Sequence, residues 1–444
     1  MIVSPAWKGK RFAVLGLARS GRATVEALLA AGAEVLAWDA KPEAREPFAG
    51  RVALADPLEA DLTGYDGVVV SPGVPLNTHP IKPHAMSFGV PVIGDIELFA
   101  QARAHLPPHK VVGITGTNGK STTTALVHHI LKTAGVPTTM GGNIGLPILE
   151  QKPLPKGGVF VLELSSYQID LTFSLDCDVA VLLNVTPDHL DRYDGDFEAY
   201  AASKARLFEM QTREGCAVCR AQDWWHDQKI GAKAGGKYLE VFDDVFHQWQ
   251  GLPDAIGILE QSRWKALQGP HNLQNAEAAI AVGFVLELSA QQIRDGLETY
   301  PGLPHRMERV AEIFGVAYVN DSKGTNTAAS APALAAFENI HWIVGGLAKE
   351  PGPQGLLGEC EAELGHVKAA YTIGKAGPVF AELLEGRVPV KRSETLDQAV
   401  IDAANEAVSG DTVLLSPACA SFDQFRDFEE RGEAFRAAVK RLAA

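Results

Sequence analysis

The sequence predicts an α/β protein of two to three domains built largely on parallel sheet. Three observations lead there. The chain has 444 residues, more than one ordinary hydrophobic core organises. Its apolar runs, such as "GVFVLEL" and "DVAVLLNV", are continuous rather than alternating, as in strands buried on both faces. Those runs alternate with helical stretches, and Gly-rich turns follow several of them.

Taken in order, the first segment opens on the strand "RFAVLGL", the turn "ARSG", a helix over Arg22 to Ala31 and a second strand, "AEVLAWDA". Such a unit can seat phosphates at a helix N-terminus, and Asp39 can reach a ribose or base. G-x-G-x-x-G is absent, so a purely structural turn is an equal reading. "GVVVSPG" adds a buried strand and a turn of Ser71, Pro72 and Gly73. A second segment starts near residue 100, with the strand "HKVVGIT" and the helix "STTTALVHHILKTAG" ending at Gly135. Around 215–265 the pattern weakens, and "DWWHDQ" and "HQWQ" suggest peripheral packing only. Prolines and a glycine in "YPGLPHRMERV" mark a further boundary. Beyond it "VAYVND", "IHWIVGG" and "DTVLLSP" alternate with Ala-rich helices, a third α/β unit.

Composition narrows the function classes. A net charge of −14 argues against a general nucleic-acid binder, which needs broad basic surface, but leaves room for small anions at a local cationic cluster. "FAVLGLA" is too short to span a bilayer and lacks the flanks of a secretion signal. Five scattered cysteines suit a reducing cytoplasm better than a disulfide framework. Cys216 and Cys219 form a lone CxxC, read as coincidence because no second pair follows at zinc-site spacing.

The chemistry concentrates in "GITGTNGKST", residues 113–122, where a strand passes directly into a helix. The usual phosphate loop would place a glycine at position 114, which is Ile114 here. Even so, Gly116 and Gly119 let backbone N–H groups turn inward as an anion nest, with Thr117 and Asn118 between them. Lys120 supplies a point charge, and the hydroxyls of Ser121 and Thr122 follow. Nucleotide binding is favoured over a plain turn. Glu163, Asp188 and His189 follow neighbouring strands, where Mg²⁺ ligands would sit. Lys204, in "YAASKARLF", reads from sequence alone as a surface helix lysine. Hydrolysis, phosphoryl transfer to a hydroxyl and activation of a carboxylate all remain open.

"TGTNGKST", "GGNIG", "ELSSYQ", "NVTPDHLDRY", "GPHNLQN", "GLPHRMERV", "NDSKGTNTAAS", "VGGLAKE" and "LLSPACASFDQFRDFEERGEAF" together resemble the Mur ligases, in order and over nearly the whole chain. "DSKGTN" and "SPACASFDQF" resemble the D-glutamate-adding branch. The compact loop is that family's form. The resemblance implies a Rossmann-like UDP-substrate domain over 1–99. It implies a central P-loop ATPase-type domain with a mostly parallel sheet over 100–303, and a Rossmann-like amino-acid domain over 304–444. It also implies ATP-dependent activation of the carboxylate of UDP-MurNAc-L-Ala as an acyl phosphate, followed by attack of the D-glutamate amine.

Residue by residue, the resemblance puts Lys120 on the β- and γ-phosphates, and Ser121 and Glu163 on one Mg²⁺. His189 and a carbamylated Lys204 would hold a second Mg²⁺. Asn272 and Asn275 would face adenine, Arg306 the phosphates and Asp321 the ribose. Lys323, Thr325, Lys349, Ser421 and Phe428 would surround D-glutamate and the developing charge. Arg19, Ser20, Asp39, Lys41, Ser71, Gly73, Asn143 and His189 would meet the UDP-substrate. Where the family often carries Asp-Thr-Arg, this chain has Asp39-Ala40-Lys41. A cytoplasmic monomer acting on small molecules, without nucleic-acid or membrane partners, is the expectation. The rivals are other amino-acid-adding members, a non-catalytic nucleotide switch, which needs fewer metal ligands, and a small-molecule kinase, which leaves the third segment unexplained.

Overall fold

The three sets of apolar strands in the sequence form three sheets. The computed structural model describes residues 1–188, 190–220, 237–241, 261–348 and 357–443. His189, Lys349 and most of the Trp-rich stretch lie outside the described residues. The chain divides into two compact units, Met1–Ile258 with Asn275–Leu297, and Leu259–Gln274 with Glu298–Ala444.

The first unit carries two parallel sheets. One comprises β1 (Arg11–Leu15), β2 (Glu34–Trp38), β3 (Ala53–Leu54), β4 (Gly67–Val70) and β5 (Val92–Ile93), in the order β3-β2-β1-β4-β5. Helix α1 (Arg19–Ala31) begins three residues earlier than the sequence pattern suggested. It starts hard against β1, since a Cβ on Gly21 would lie 1.8 Å from the Gly16 carbonyl oxygen, so only glycine fits there. The second sheet comprises β6 (His109–Thr115), β7 (Thr138–Gly142), β8 (Gly158–Glu163), β9 (Val179–Leu182), β10 (Cys216–Arg220) and β11 (Lys237–Val241). Its order is β11-β10-β9-β6-β8-β7.

Each order reverses direction at one place, between β1 and β4 in the first sheet and around β6 in the second. Loops leaving the carboxyl ends there splay apart and open a crevice. Residues of both sheets share one apolar core, in which Phe99 and Phe160 meet edge to face at 5.1 Å. Glu97 ties the sheets further, accepting the N–H groups of Phe173 (2.7 Å) and Ser174 (2.9 Å). Cys216 and Cys219 are both buried on β10, and their odd spacing points them to opposite faces of the strand.

The second unit holds β12 (Glu308–Ile313), β13 (Val316–Asn320), β14 (Ile340–Gly345), β15 (Val367–Ile373), β16 (Val390–Glu394) and β17 (Thr412–Leu415). The order is β12-β13-β17-β14-β15-β16, parallel apart from the β12–β13 hairpin at one edge. Helix α2 (Phe428–Leu442) packs on one face through Phe435 and Val439, and Asp427 caps it by accepting the Glu430 N–H. All five cysteines are free and buried. No helix among the described residues is long and apolar enough to cross a membrane.

Candidate active site

Beyond the last residue of β6 the chain turns through Gly116 (φ 155°) and Gly119 (φ 83°) into the helix Lys120–Thr133. Neither turn suits a side chain. A Cβ on Gly119 would come within 2.2 Å of Asn275 Oδ1, which also accepts the Thr123 hydroxyl at 3.2 Å. Asn275 is thus brought to the loop, 156 residues away in sequence (275 − 119). Lys120 Nζ donates to the carbonyls of Gly116 (2.9 Å) and Thr117 (2.7 Å). Ser121 and Thr122 occupy the first turn of the helix that follows.

Two neighbours fix this loop. Asn184, just past β9, accepts the N–H groups of Thr117 (3.1 Å) and Asn118 (2.8 Å) through Oδ1. Tyr200 Oη lies 3.0 Å from Thr117 Oγ1, and its ring lies beneath Lys204 Nζ at 4.5 Å from the centroid. Sequence reasoning missed both residues. Asn184 was legible only as a polar residue at the end of an apolar strand. Tyr200 stands four residues before Lys204 and so shares its helix face.

Lys204 is no surface residue. It is 2% exposed, and its Nζ donates to the Gly116 carbonyl at 2.9 Å. Burial, helped by the nearby Lys120 charge, lowers its amine to about 7, against the opposing pull of Asp188 and Asp170. At the end of β8, Glu163 is 2% exposed. Its Oε1 accepts Asn143 Nδ2 at 2.8 Å, while Oε2 has no hydrogen-bond partner among the described residues. A bare, buried carboxylate oxygen is costly without a partner and there asks for a cation.

A cavity of about 320 Å³ opens over these groups, lined by Lys120, Lys204, Asn143 and Tyr200 on one side and by Pro72 and Gly73 on another. Ser71 anchors that second wall, donating to the Gly16 carbonyl at 2.7 Å. Asp39 holds the neighbouring turn through the N–H groups of Leu17 (2.7 Å) and Lys41 (2.9 Å). Lys41 therefore engages Asp39 through its backbone. Arg19 Nη2 reaches the Gly145 carbonyl at 2.6 Å, and the Ser20 carbonyl accepts the Thr24 hydroxyl.

In the second unit a different cluster forms at the ends of β13 and β17. Buried Asp321 accepts Ser416 Oγ (2.8 Å) and the Met307 N–H (3.2 Å), and burial raises its carboxyl to about 7. Lys323 Nζ lies 3.9 Å from the centre of the Phe428 ring. Thr325 N–H donates to the Lys323 carbonyl, and Ser421 is buried nearby in sequence to Cys419. Arg306 exerts its charge on Asp321. Asn272 is buried and donates to the Gln268 carbonyl at 2.9 Å.

Arg431, another residue that sequence reasoning left without a role, pins this cluster. It is 1% exposed and donates to Ser322 Oγ (2.9 Å), Ser322 O (2.9 Å) and Cys419 O (3.1 Å). Its place at i+3 from Phe428 and i−4 from Phe435, on the buried face of α2, was the available signal.

Comparison with known proteins bears on both clusters. The Mur ligase middle-domain family matches residues 114–244, and the Mur ligase glutamate-ligase domain family matches 305–419. A Novosphingobium aromaticivorans protein named UDP-N-acetylmuramoylalanine–D-glutamate ligase is 61% identical, over 100% of this chain and 97% of its own. Its Sphingopyxis alaskensis namesake is 56% identical, with both chains fully covered. Among solved structures, the MurF ligase of Thermotoga maritima in complex with ADP matches in fold at a TM-score of 0.61 and 17% identity. That match covers 99% of this chain and 96% of the other.

Proposed function

On the premise that this chain belongs to the Mur ligase family, we propose that it joins D-glutamate to the L-alanine carboxylate of UDP-N-acetylmuramoyl-L-alanine. ATP drives the reaction, which serves peptidoglycan precursor synthesis. The names of the full-length relatives support the substrates. The single observation that carries the reading is the shared cavity, in which a phosphate loop faces the loops of a second nucleotide-type sheet. A carboxylate is a poor acyl donor until one oxygen becomes a phosphate leaving group, so the two substrates have to meet at one place.

In this reading Gly116 to Thr122 cradle ATP, and Lys120 leaves its own loop carbonyls for the β- and γ-phosphates. Asn272 and Asn275 take adenine, Arg306 the phosphates and Asp321 the ribose. Arg19, Ser20, Asp39, Lys41, Ser71, Gly73 and Asn143 take the UDP-substrate. Lys323, Thr325, Ser421 and Phe428, with Lys349, hold D-glutamate. The chain folds as domains 1–99, 100–303 and 304–444 and acts as a cytoplasmic monomer.

The residues present fit Mg²⁺, because Glu163 Oε2 is buried and unpaired. Among the described residues no three His, Cys, Asp or Glu side chains gather to hold a metal. By the family resemblance Ser121 and Glu163 would hold one ion, and His189 with a carbamylated Lys204 a second. When bound, Mg²⁺ supplies neutralisation of phosphate charge. Lys204 suits carbamylation because an amine near 7 is substantially neutral, and only the neutral amine adds CO₂.

The test is ATP with UDP-MurNAc-L-Ala, with and without D-glutamate, following phosphate and amide. Amide formation strictly dependent on all three is expected. ATP turnover that ignores the amino acid and yields no amide would sink the ligase reading.

A further inference from the structure

One side chain at the cavity grips both of its walls. Arg192 sits in the turn Leu190–Tyr193, directly after the loop bearing Asp188. Its Nη1 donates to the Val74 carbonyl (3.2 Å) and its Nη2 to the Gly73 carbonyl (3.3 Å), two consecutive residues of the turn after β4. The guanidinium also stacks on Tyr167, 4.6 Å from the ring centre, and both side chains line the cavity. A second tether runs the other way, from Asn77 Nδ2 to the Asp191 carbonyl at 2.8 Å. The next residue, Tyr193, holds the turn to two neighbouring helices, donating to Asp170 Oδ2 (2.9 Å) with its hydroxyl 3.2 Å from Ser203 Oγ.

We infer that Arg192 is a positioning residue for the acceptor substrate, setting the Gly73–Val74 turn at a fixed distance from the phosphate loop. The inference rests on the reading of this cavity as the meeting place of the two substrates. Leu190–Tyr193 is a single 3₁₀ turn held on its own side by Tyr193, so the Arg192 and Asn77 bonds and the stack are what link it across the gap to the Gly73–Val74 turn. A planar fork can engage two adjacent carbonyls while stacked, and a lysine cannot. The arginine also adds a positive charge to the cavity lining. Loss of the grip would leave ATP seated but the carboxylate out of line with the γ-phosphate, and small misplacements of that kind are costly in rate.

The experiment is steady-state kinetics on the full chain carrying Arg192→Ala, Arg192→Lys or Asn77→Ala. For Arg192→Ala the KM for UDP-MurNAc-L-Ala should rise about tenfold and kcat should fall, with the KM for ATP within about twofold of wild type. Arg192→Lys should recover only a small part, and methylguanidine in solution should restore part of the Arg192→Ala rate. Asn77→Ala, an exposed substitution that leaves the fold intact, should raise the same KM by about threefold. Two outcomes overturn the inference. One is a UDP-substrate KM unchanged in both alanine variants. The other is a uniform loss of kcat with every KM unchanged and a lowered melting temperature, the signature of a merely structural arginine. If the wild-type chain itself makes no amide, the ligase reading fails. An active wild type with indifferent variants removes the positioning role alone.

Discussion

The two units each bury charge beside a candidate site, but they treat it differently. In the first, Lys204 has lost most of its hydration, and Glu163, bonded to the cavity residue Asn143, keeps its other carboxylate oxygen unpaired. In the second, Asp321 has both oxygens engaged, by Ser416 and Met307, while Arg431 spends three hydrogen bonds on the Ser322 and Cys419 segments and leaves Nη1 without a partner among the described residues. A buried polar group costs free energy unless it is paired. Open valence in a folded protein therefore points to a partner from outside, whereas filled valence points to a scaffold that holds loops in place. By that measure the Glu163 carboxylate is the ligand-facing group of the first cluster, and the Asp321 carboxylate is the scaffold of the second.

The largest expected effect tests the first half of that contrast. Lys204→Ala should lower amide formation by about a thousandfold or more, and added bicarbonate should not restore it. The melting temperature should change little, because the packing lost with the side chain is offset by removal of a desolvated amine held, among the described residues, only by the Gly116 carbonyl and the face of the Tyr200 ring. Amide assays and thermal unfolding check both parts. A fully active variant would mean that Lys204 is buried for packing, and the contrast would collapse.

What the sequence made legible follows the range of the interaction. The strand His109–Thr115 and the helix after it were readable because turn, glycine and hydroxyl are neighbours in the chain. So were the strands with continuous apolar runs, such as Gly158–Glu163 and Val179–Leu182, whereas polar strands such as Thr138–Gly142 and Val390–Glu394 were not. Lys204 was not readable from its surroundings. Local pattern assigned it to a helix surface, and only its likeness to a family motif suggested a metal. It is buried because helix Phe197–Glu209 lies against the β6 loop, a contact 88 residues apart. Asn184 and Arg431 were missed for the same reason, since their partners lie 66 and 109 residues away. The hairpin at the edge of the third sheet also escaped, because an apolar run shows burial but not strand direction.

An intermediate effect is expected at Arg431, whose Nε and Nη2 are engaged while Nη1 has no hydrogen-bond partner among the described residues. Arg431→Met should cost about 2–4 kcal/mol of stability, because Ser322 O and Cys419 O would be left buried without their donor. Denaturant unfolding measures this. Affinity for ATP analogues should change far less than stability does. A variant as stable as wild type, with nucleotide binding abolished, would reverse the assignment and make Arg431 a ligand contact.

The smallest effect is a change of slope with pH, and it sharpens the idea of a closed scaffold. Burial raises Asp321 from an ordinary 3.8 to about 7, against the pull of Ser416 and Arg306. An unfolded carboxyl gives up its proton near the lower value, and the folded one keeps it to the higher. Between them the folded state binds more protons, so the stability this group contributes is complete below about 3.8 and is lost as pH rises through 7. Asp321→Asn cannot ionise and loses that dependence. Its melting temperature should match wild type near pH 4 and exceed it by a growing margin as pH rises toward 7. Parallel melting curves across the range would mean that the carboxylate is already ionised in the fold. Asp321 would then be held by Arg306 as an ion pair, and the second cluster would carry an open charge like the first.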